Sequence, residues 1–183
     1  GKTLWVAYED GMKLWGKDLG ADWRKKGGGL HHDRQLKVVK VDLESNKVTK
    51  VADITALLPD LVPDPRNVGT GAIDVPEVIV DGDGHPWVFF RYCLFTGRGF
   101  WQIAFSRLDP ETGDWTKPEA LGNSSFCLDR RSSVAHHAES GTFKVAYPSD
   151  LRKSKQAGDA GVYLASIDYR TCLLYTSDAA DDP

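Results

Sequence analysis

Arg34, Arg91 and Arg131 are the residues of this chain best suited to hold an anion. Arg34 stands just before the apolar run that starts at Leu36, Arg91 directly follows Trp87-Val-Phe-Phe90, and Arg131 just precedes Ser132–His137. A guanidinium offers a planar fork of donors that fits a carboxylate or phosphate. Asp74, Asp129 and Asp150 supply carboxylates, and Trp15 and Tyr92 supply aromatic faces of the kind that pack on a sugar ring. These eight residues are the candidate ligand-binding set. The competing reading is that the arginines pair with neighbouring Asp and Glu as solvated ion pairs of small energetic value.

Other chemistry-bearing clusters are better explained by local structure. In His31-His32-Asp33, adjacent side chains of extended backbone point to opposite sides, so both rings reach one ion only in a special loop. His136-His137 has the same problem within a strand. No HExxH or CxxC is present, so no metal and no cofactor is expected. Asp81-Gly-Asp-Gly84 lacks the further ligands of a calcium loop and reads as a tight turn. Gly27-Gly-Gly29 is followed by no Lys-Ser/Thr and no helix, so it is not a phosphate loop. Glycoside hydrolysis needs two flanking carboxylates, or a Tyr nucleophile with an acid partner. The acids Asp10, Asp33, Asp74, Asp129 and Asp150 are available for this, but the sequence does not pair them, and the catalytic residues stay unassigned.

The elements that must position these groups are short strands. Runs rich in β-branched and aromatic residues are bounded by Gly, Pro, Asp and Asn: Leu4–Tyr8, Leu36–Leu43, Lys47–Ile54, Pro76–Val80, Pro86–Tyr92, Phe100–Leu108, Trp115–Leu121, Ser132–His137, Thr142–Tyr147 and Gly161–Ile167. Asp53–Leu61 suits a short helical turn. The runs repeat. Val41-Asp-Leu-Glu-Ser-Asn-Lys-Val-Thr-Lys50 aligns without gaps on Leu108-Asp-Pro-Glu-Thr-Gly-Asp-Trp-Thr-Lys117, and Ile167-Asp168 begins a third copy. Upstream, Leu4–Tyr8, Pro86–Phe90 and Phe143–Tyr147 align as another shared strand. The repeating unit has four strands, A to D, as in a blade of a β-propeller. The expected fold is all-β: a partial β-propeller of about two and a half four-stranded blades of an incomplete ring. Blade 1 (strands B–D) covers about 1–54, blade 2 about 76–121, and blade 3 (strands A–C) about 132–168. A β-sandwich with similar hairpins is the alternative.

Propeller topology sorts the loops. The A–B and C–D turns, such as Asp81–His85 and Glu111–Gly113, are short. The B–C and D–A connections are longer and vary between units, and together they form the face where sites tend to sit. All eight candidate residues fall on that face, and Glu9 and Asp10 join them there.

The chain holds 23 basic and 26 acidic residues. Without Asp178, Asp181 and Asp182 at its end, acids and bases are equal. Net charge therefore gives no reason to expect a nucleic-acid partner, and no apolar run reaches the ~20 residues of a membrane helix. Cys93 and Cys127 allow one disulfide or none.

Three resemblances reach beyond these residue-level readings. Cys172–Asp181 resembles the in-frame translation of a sequencing-library adapter, so 172–183 is expected to be a non-native tail on a truncated protein, with a third blade lacking strand D. Pro76–Arg91 and Phe105–Pro118 resemble sialidase-like β-propellers over roughly residues 1–171, although Asp109-Pro-Glu-Thr-Gly-Asp-Trp115 departs from the spacing of that superfamily's Asp-box. The resemblance implies an arginine cluster, for which Arg34, Arg91 and Arg131 are positional candidates. A fainter resemblance, through Trp15–Asp18 and Asp129–His137, is to propeller regions that precede a PHP-like metallohydrolase domain. The expected function is a module that binds a carbohydrate or anionic small ligand on the loop-rich face of a larger secreted or envelope protein. The remaining blades of the parent chain would be its structural partner. The alternative is a fragment of a sialidase-like glycoside hydrolase.

Overall fold

Alternating side chains on short extended runs, joined by turns rich in Asp and Gly, produce hairpins. The computed structural model describes residues 2–11, 34–58, 70–95, 101–121, 131–149 and 161–178. Among the described residues the strands are β1 (Thr3–Gly11), β2 (Arg34–Asp42), β3 (Lys47–Asp53), β4 (Thr70–Val80), β5 (Pro86–Phe95), β6 (Trp101–Arg107), β7 (Glu119–Ala120), β8 (Ser133–His137), β9 (Thr142–Ser149), β10 (Gly161–Asp168) and β11 (Leu173–Asp178). They form three antiparallel sheets in sequence order: β1-β2-β3, β4-β5-β6-β7 and β8-β9-β10-β11. A 3-10 turn at Thr55–Leu57 follows β3, within the segment expected to turn helically.

The middle sheet is buried on both faces. Successive residues of β5 face opposite sides, and Trp87, Val88, Phe89 and Phe90 are all fully buried. Trp87 and Phe89 pack with Ile103 and Phe105 of β6 against Phe143, Val145 and Tyr147 of the third sheet. Val88 and Phe90 pack with Ile73 and Ala104 against Leu36 and Val38 of the first sheet, with Trp5 and Ala7 alongside. The Trp87 and Phe143 rings meet edge to face at 5.3 Å, an arrangement favoured by ring quadrupoles. Each such side chain removed from water contributes about 1.5–3 kcal/mol, so the two clusters hold the sheets together.

The C–D hairpin turn is built the same way three times. Asp42 accepts from the amides of Glu44 and Ser45 at 2.9 and 2.8 Å. Asp109 accepts from Glu111 and Thr112 at 2.8 and 3.3 Å, and Asp168 accepts from Arg170 and Thr171 at 2.9 and 3.2 Å. The residue that closes each turn has positive φ: Asn46 (54°), Gly113 (72°) and Cys172 (58°). Asn and Gly enter that region easily, whereas other residues pay a steric penalty. The repeat seen in the sequence is therefore a repeat of turn chemistry as well.

Most strand ends shift by one to three residues from the sequence reading, and three differences are larger. β4 begins at Thr70 rather than Pro76, because a bulge between Asp74 and Glu77 carries the strand past the proline; a missing N–H is tolerated at a bulge. The expected strand Trp115–Leu121 shrinks to Glu119–Ala120 plus a single bridge between Leu108 and Trp115. Pro118 cannot donate to the ladder, and Thr116 is engaged by Ser106 Oγ, which donates to its carbonyl at 2.7 Å, and by the Arg107 amide, which donates to its hydroxyl at 3.2 Å. Residues 173–178, expected to lie outside the fold, form β11 on the outer edge of β10. That edge offers unpaired backbone groups to any extended segment. The third sheet is therefore four-stranded, not three-stranded.

Candidate functional site

The bulge in β4 creates the most unusual chemistry among the described residues. Val75 has φ of 55°, a costly conformation for a β-branched residue. It is held there from two sides. Its amide donates to Glu9 Oε1 at 2.7 Å and to Asp74 Oδ1 at 2.9 Å. Glu9 comes from β1, so one sheet fixes the strained turn of the next. Strain kept in place by a neighbouring element is a feature of functional sites.

The bulge sets Asp74 opposite Arg91 of β5. Arg91 Nη2 donates to Asp74 Oδ2 at 2.7 Å, and the two side chains are only 8% and 10% exposed. The guanidinium carbon lies 4.4 Å from the centroid of the Trp101 ring. Trp101 opens β6 and lies opposite Cys93. Because Arg91 and Cys93 are two residues apart, Trp101 shares Arg91's face of the sheet. A desolvated cation over an indole gains about 2 kcal/mol.

This arrangement leaves Arg91 half used. Its Nε and Nη1 are buried with no hydrogen-bond partner. A buried donor left unmatched costs about 1–3 kcal/mol. The site therefore contains a fixed, dry guanidinium with spare donors, stacked on an aromatic ring and oriented by one carboxylate. An acceptor oxygen that reached those nitrogens would relieve that cost in a medium where electrostatic attraction is strong.

Tyr92, next to Arg91, points to the other face of β5. Its hydroxyl donates to Gln102 Oε1 at 2.6 Å, and its ring lies 6.4 Å from Phe90. Arg34 begins β2 opposite Gly11, at the same end of its sheet as the Arg91 end of the middle sheet. Arg131 is exposed just before β8, an environment unlike that of buried Arg91. Trp15, Asp129 and Asp150 lie outside the described residues, as do His31, His32, Asp33 and Gly27–Gly29. Of the eight candidates, the structure joins Asp74 to Arg91 and sets Tyr92 on the opposite face. Trp101 and Val75 had not been singled out. The cross-strand register points to Trp101, while Pro76 inside an apolar run is the signal for a bulge.

The acids at the opposite, tight-turn end are occupied by local structure. Asp81 Oδ1 accepts from the Asp83 and His85 amides at 3.0 and 2.9 Å, and Oδ2 accepts from Trp87 Nε1 at 3.0 Å. This carboxylate organises a turn closed by Gly84 at φ of 89°. Among the described residues no cluster of His, Cys, Asp and Glu is arranged to hold a metal, and no helix is long and apolar enough to cross a membrane. No family model matches this chain, and no curated protein does either.

Proposed function

We propose that the chain is a binding module, a partial β-propeller of three stacked blades, that holds a carboxylated or otherwise anionic small ligand, such as an acidic sugar, at the Arg91 end of the middle sheet. The observation that carries this reading is the buried Arg91 guanidinium with Nε and Nη1 unmatched. Asp74 fixes its orientation, and Trp101 supports it from one side. A guanidinium oriented in advance loses little further freedom on binding, which favours affinity. The aromatic groups nearby suit a sugar face.

The hydrolase alternative needs a tyrosine beside a carboxylate base. Tyr92 is hydrogen bonded to the neutral amide of Gln102, so binding without chemistry is the preferred reading. The test is calorimetric titration with D-glucuronate, acetate and inorganic phosphate, with D-glucose as the neutral control. Glucuronate is expected to bind and glucose is not. Arg91→Lys keeps the charge but loses the planar fork, and is expected to weaken glucuronate binding about tenfold or more. If none of the three anions binds, or if Arg91→Lys binds as the parent does, the reading fails.

A further inference from the structure

Arg91 and the residue that braces its site lie on opposite faces of the second sheet. Arg91 shares a face with Trp87 and Phe89. Trp101, on which it stacks, belongs to the cluster that packs on Phe143, Val145 and Tyr147 of the third sheet. Glu9 comes from the other side. It shares a face of β1 with Trp5 and Ala7, which pack against the second sheet, and it stands opposite the buried Leu36. Within β4, Ile73 packs into that first interface. The next residue, Asp74, turns to the face that carries Arg91.

The two sides meet in the Asp74–Val75 peptide. The Val75 amide donates to Glu9 Oε1 at 2.7 Å and to Asp74 Oδ1 at 2.9 Å. Asp74 Oδ2 in turn accepts from Arg91 Nη2 at 2.7 Å. Glu9, Val75, Asp74 and Arg91 thus form one chain of hydrogen bonds through the thickness of the sheet. Its weak link is Val75, whose φ of 55° is a region that a β-branched residue enters only under constraint. Asp74 bonds to the amide of its own successor, so it moves with the bulge and does not hold it in place. Glu9 is anchored in a different sheet, so it does. Without the Glu9 contact, Val75 relaxes toward extended backbone and the bulge no longer aims Asp74 at Arg91.

We infer that Glu9 is a positioning residue for the Arg91 site: through the Val75 bulge, the first sheet orients a guanidinium on the far face of the second. The inference rests on the reading of Arg91 as the anion-binding group. It makes the site a property of two sheets, so that anion binding and the docking of the first sheet are linked. Linkage of binding equilibria is reciprocal. Loss of Glu9 weakens the anion, and a bound anion tightens the Glu9–Val75 contact.

Two readouts on the full chain test it. The first needs no ligand: the Arg91 Nε–H signal in a proton–nitrogen NMR spectrum, identified by its absence from Arg91→Lys and displaced by the Trp101 ring beside it. The second is calorimetric titration with D-glucuronate. Glu9→Ala is expected to return the Nε–H signal toward that of a solvated arginine and to weaken glucuronate about tenfold. Glu9→Gln keeps an acceptor oxygen for the Val75 amide, and is expected to hold the signal in place and to bind within about threefold of the parent. Val75→Gly removes the Cβ penalty at positive φ, so Glu9→Ala combined with Val75→Gly is expected to regain both the signal and the affinity. In the parent, saturating glucuronate is expected to slow exchange of the Val75 amide about tenfold. Glu9→Ala with signal and affinity unchanged overturns the inference. So does a Glu9→Ala defect that Val75→Gly fails to repair, because Glu9 would then act by packing and not through the bulge. Val75 exchange unmoved by bound glucuronate overturns the linkage. A parent that ignores glucuronate while the Nε–H signal follows Glu9 and Val75 as expected removes the ligand reading and leaves Glu9 as the residue that positions Arg91.

Discussion

At one end of the middle sheet, Asp81 gives both carboxylate oxygens to its own turn and to Trp87. At the other end, Asp74 is drawn into a buried pair whose arginine keeps two donors unmatched. Both ends contain an acid near a residue of positive φ, but the residues that adopt it differ. The tight turn uses Gly84, for which the conformation is free of a Cβ penalty, whereas the bulge uses Val75, for which it is not. One end satisfies its polar groups locally and is closed to further chemistry. The other depends on support from Glu9 of the next sheet and remains chemically open. A turn that completes its own hydrogen bonds stabilises the fold, and a strained one that does not is where a ligand has something to gain.

The largest expected effect tests the open end. Asp74→Ala leaves the Arg91 charge buried and unpaired, and is expected to cost about 3–5 kcal/mol in urea unfolding. The double change Asp74→Leu with Arg91→Met removes both charges and should cost much less while abolishing anion binding. If the double change is as damaging as the single one, the pair is not what makes this end sensitive. Next in size is the closed end. Asp81→Ala strands the buried Trp87 Nε1 and is expected to cost about 1–3 kcal/mol, read from the same unfolding curves, with no effect on anion binding. Loss of binding in that variant would erase the distinction between the ends.

A smaller pair of changes tests the repeated C–D turns. Gly113→Ala places a Cβ at φ of 72° and should destabilise by about 1 kcal/mol, while Cys172→Gly should stabilise by a similar amount. Thermal midpoints that shift in the same direction would show that the two turns are not equivalent.

The smallest effects are those of pH. The carboxyls of Asp42, Asp109 and Asp168 are held below the ordinary range, chiefly by the backbone amides of Ser45, Glu111 and Arg170 respectively. A lowered folded-state pKa gives stability that is complete above the unfolded value and is lost as pH falls through the folded one. Glu77, between the second and third sheets, behaves in the opposite sense. Burial raises its pKa, partly offset by the Val134 amide. Its ionisation therefore costs stability as pH rises from the unfolded value through the folded one. Glu77→Gln is expected to raise the urea midpoint at about pH 7 and to leave it unchanged at about pH 3.5. Asp→Asn at the three turn positions is expected to do the reverse, lowering the midpoint at neutral pH and flattening its acid decline. An acid decline left unchanged would show that the turns do not set it.

What could be read from the sequence was what depends on neighbours in the chain. Strand alternation, the aligned hairpins and their Asp-led turns are effects of a few adjacent residues, so Val41–Lys50 and Leu108–Lys117 announce the same local structure. The helical turn after β3 and the short loops at one end of each sheet were legible for the same reason. The start of β4 was missed because Pro76 reads as a boundary until the bulge is seen. β11 was missed because its pairing depends on a free edge of β10, not on anything within residues 173–178.

The site divides along the same line. The sequence by itself determined that Asp74, Arg91 and Tyr92 fall at one end of the strands. Only the tertiary structure decided that Asp74 pairs with Arg91, that Trp101 stacks beneath the guanidinium, that Tyr92 turns away to Gln102, and that Glu9 of another sheet holds the bulge. Those outcomes depend on strand register, on the face each side chain takes and on burial between sheets, and burial is what turns an ordinary arginine into a dry cation with unmatched donors.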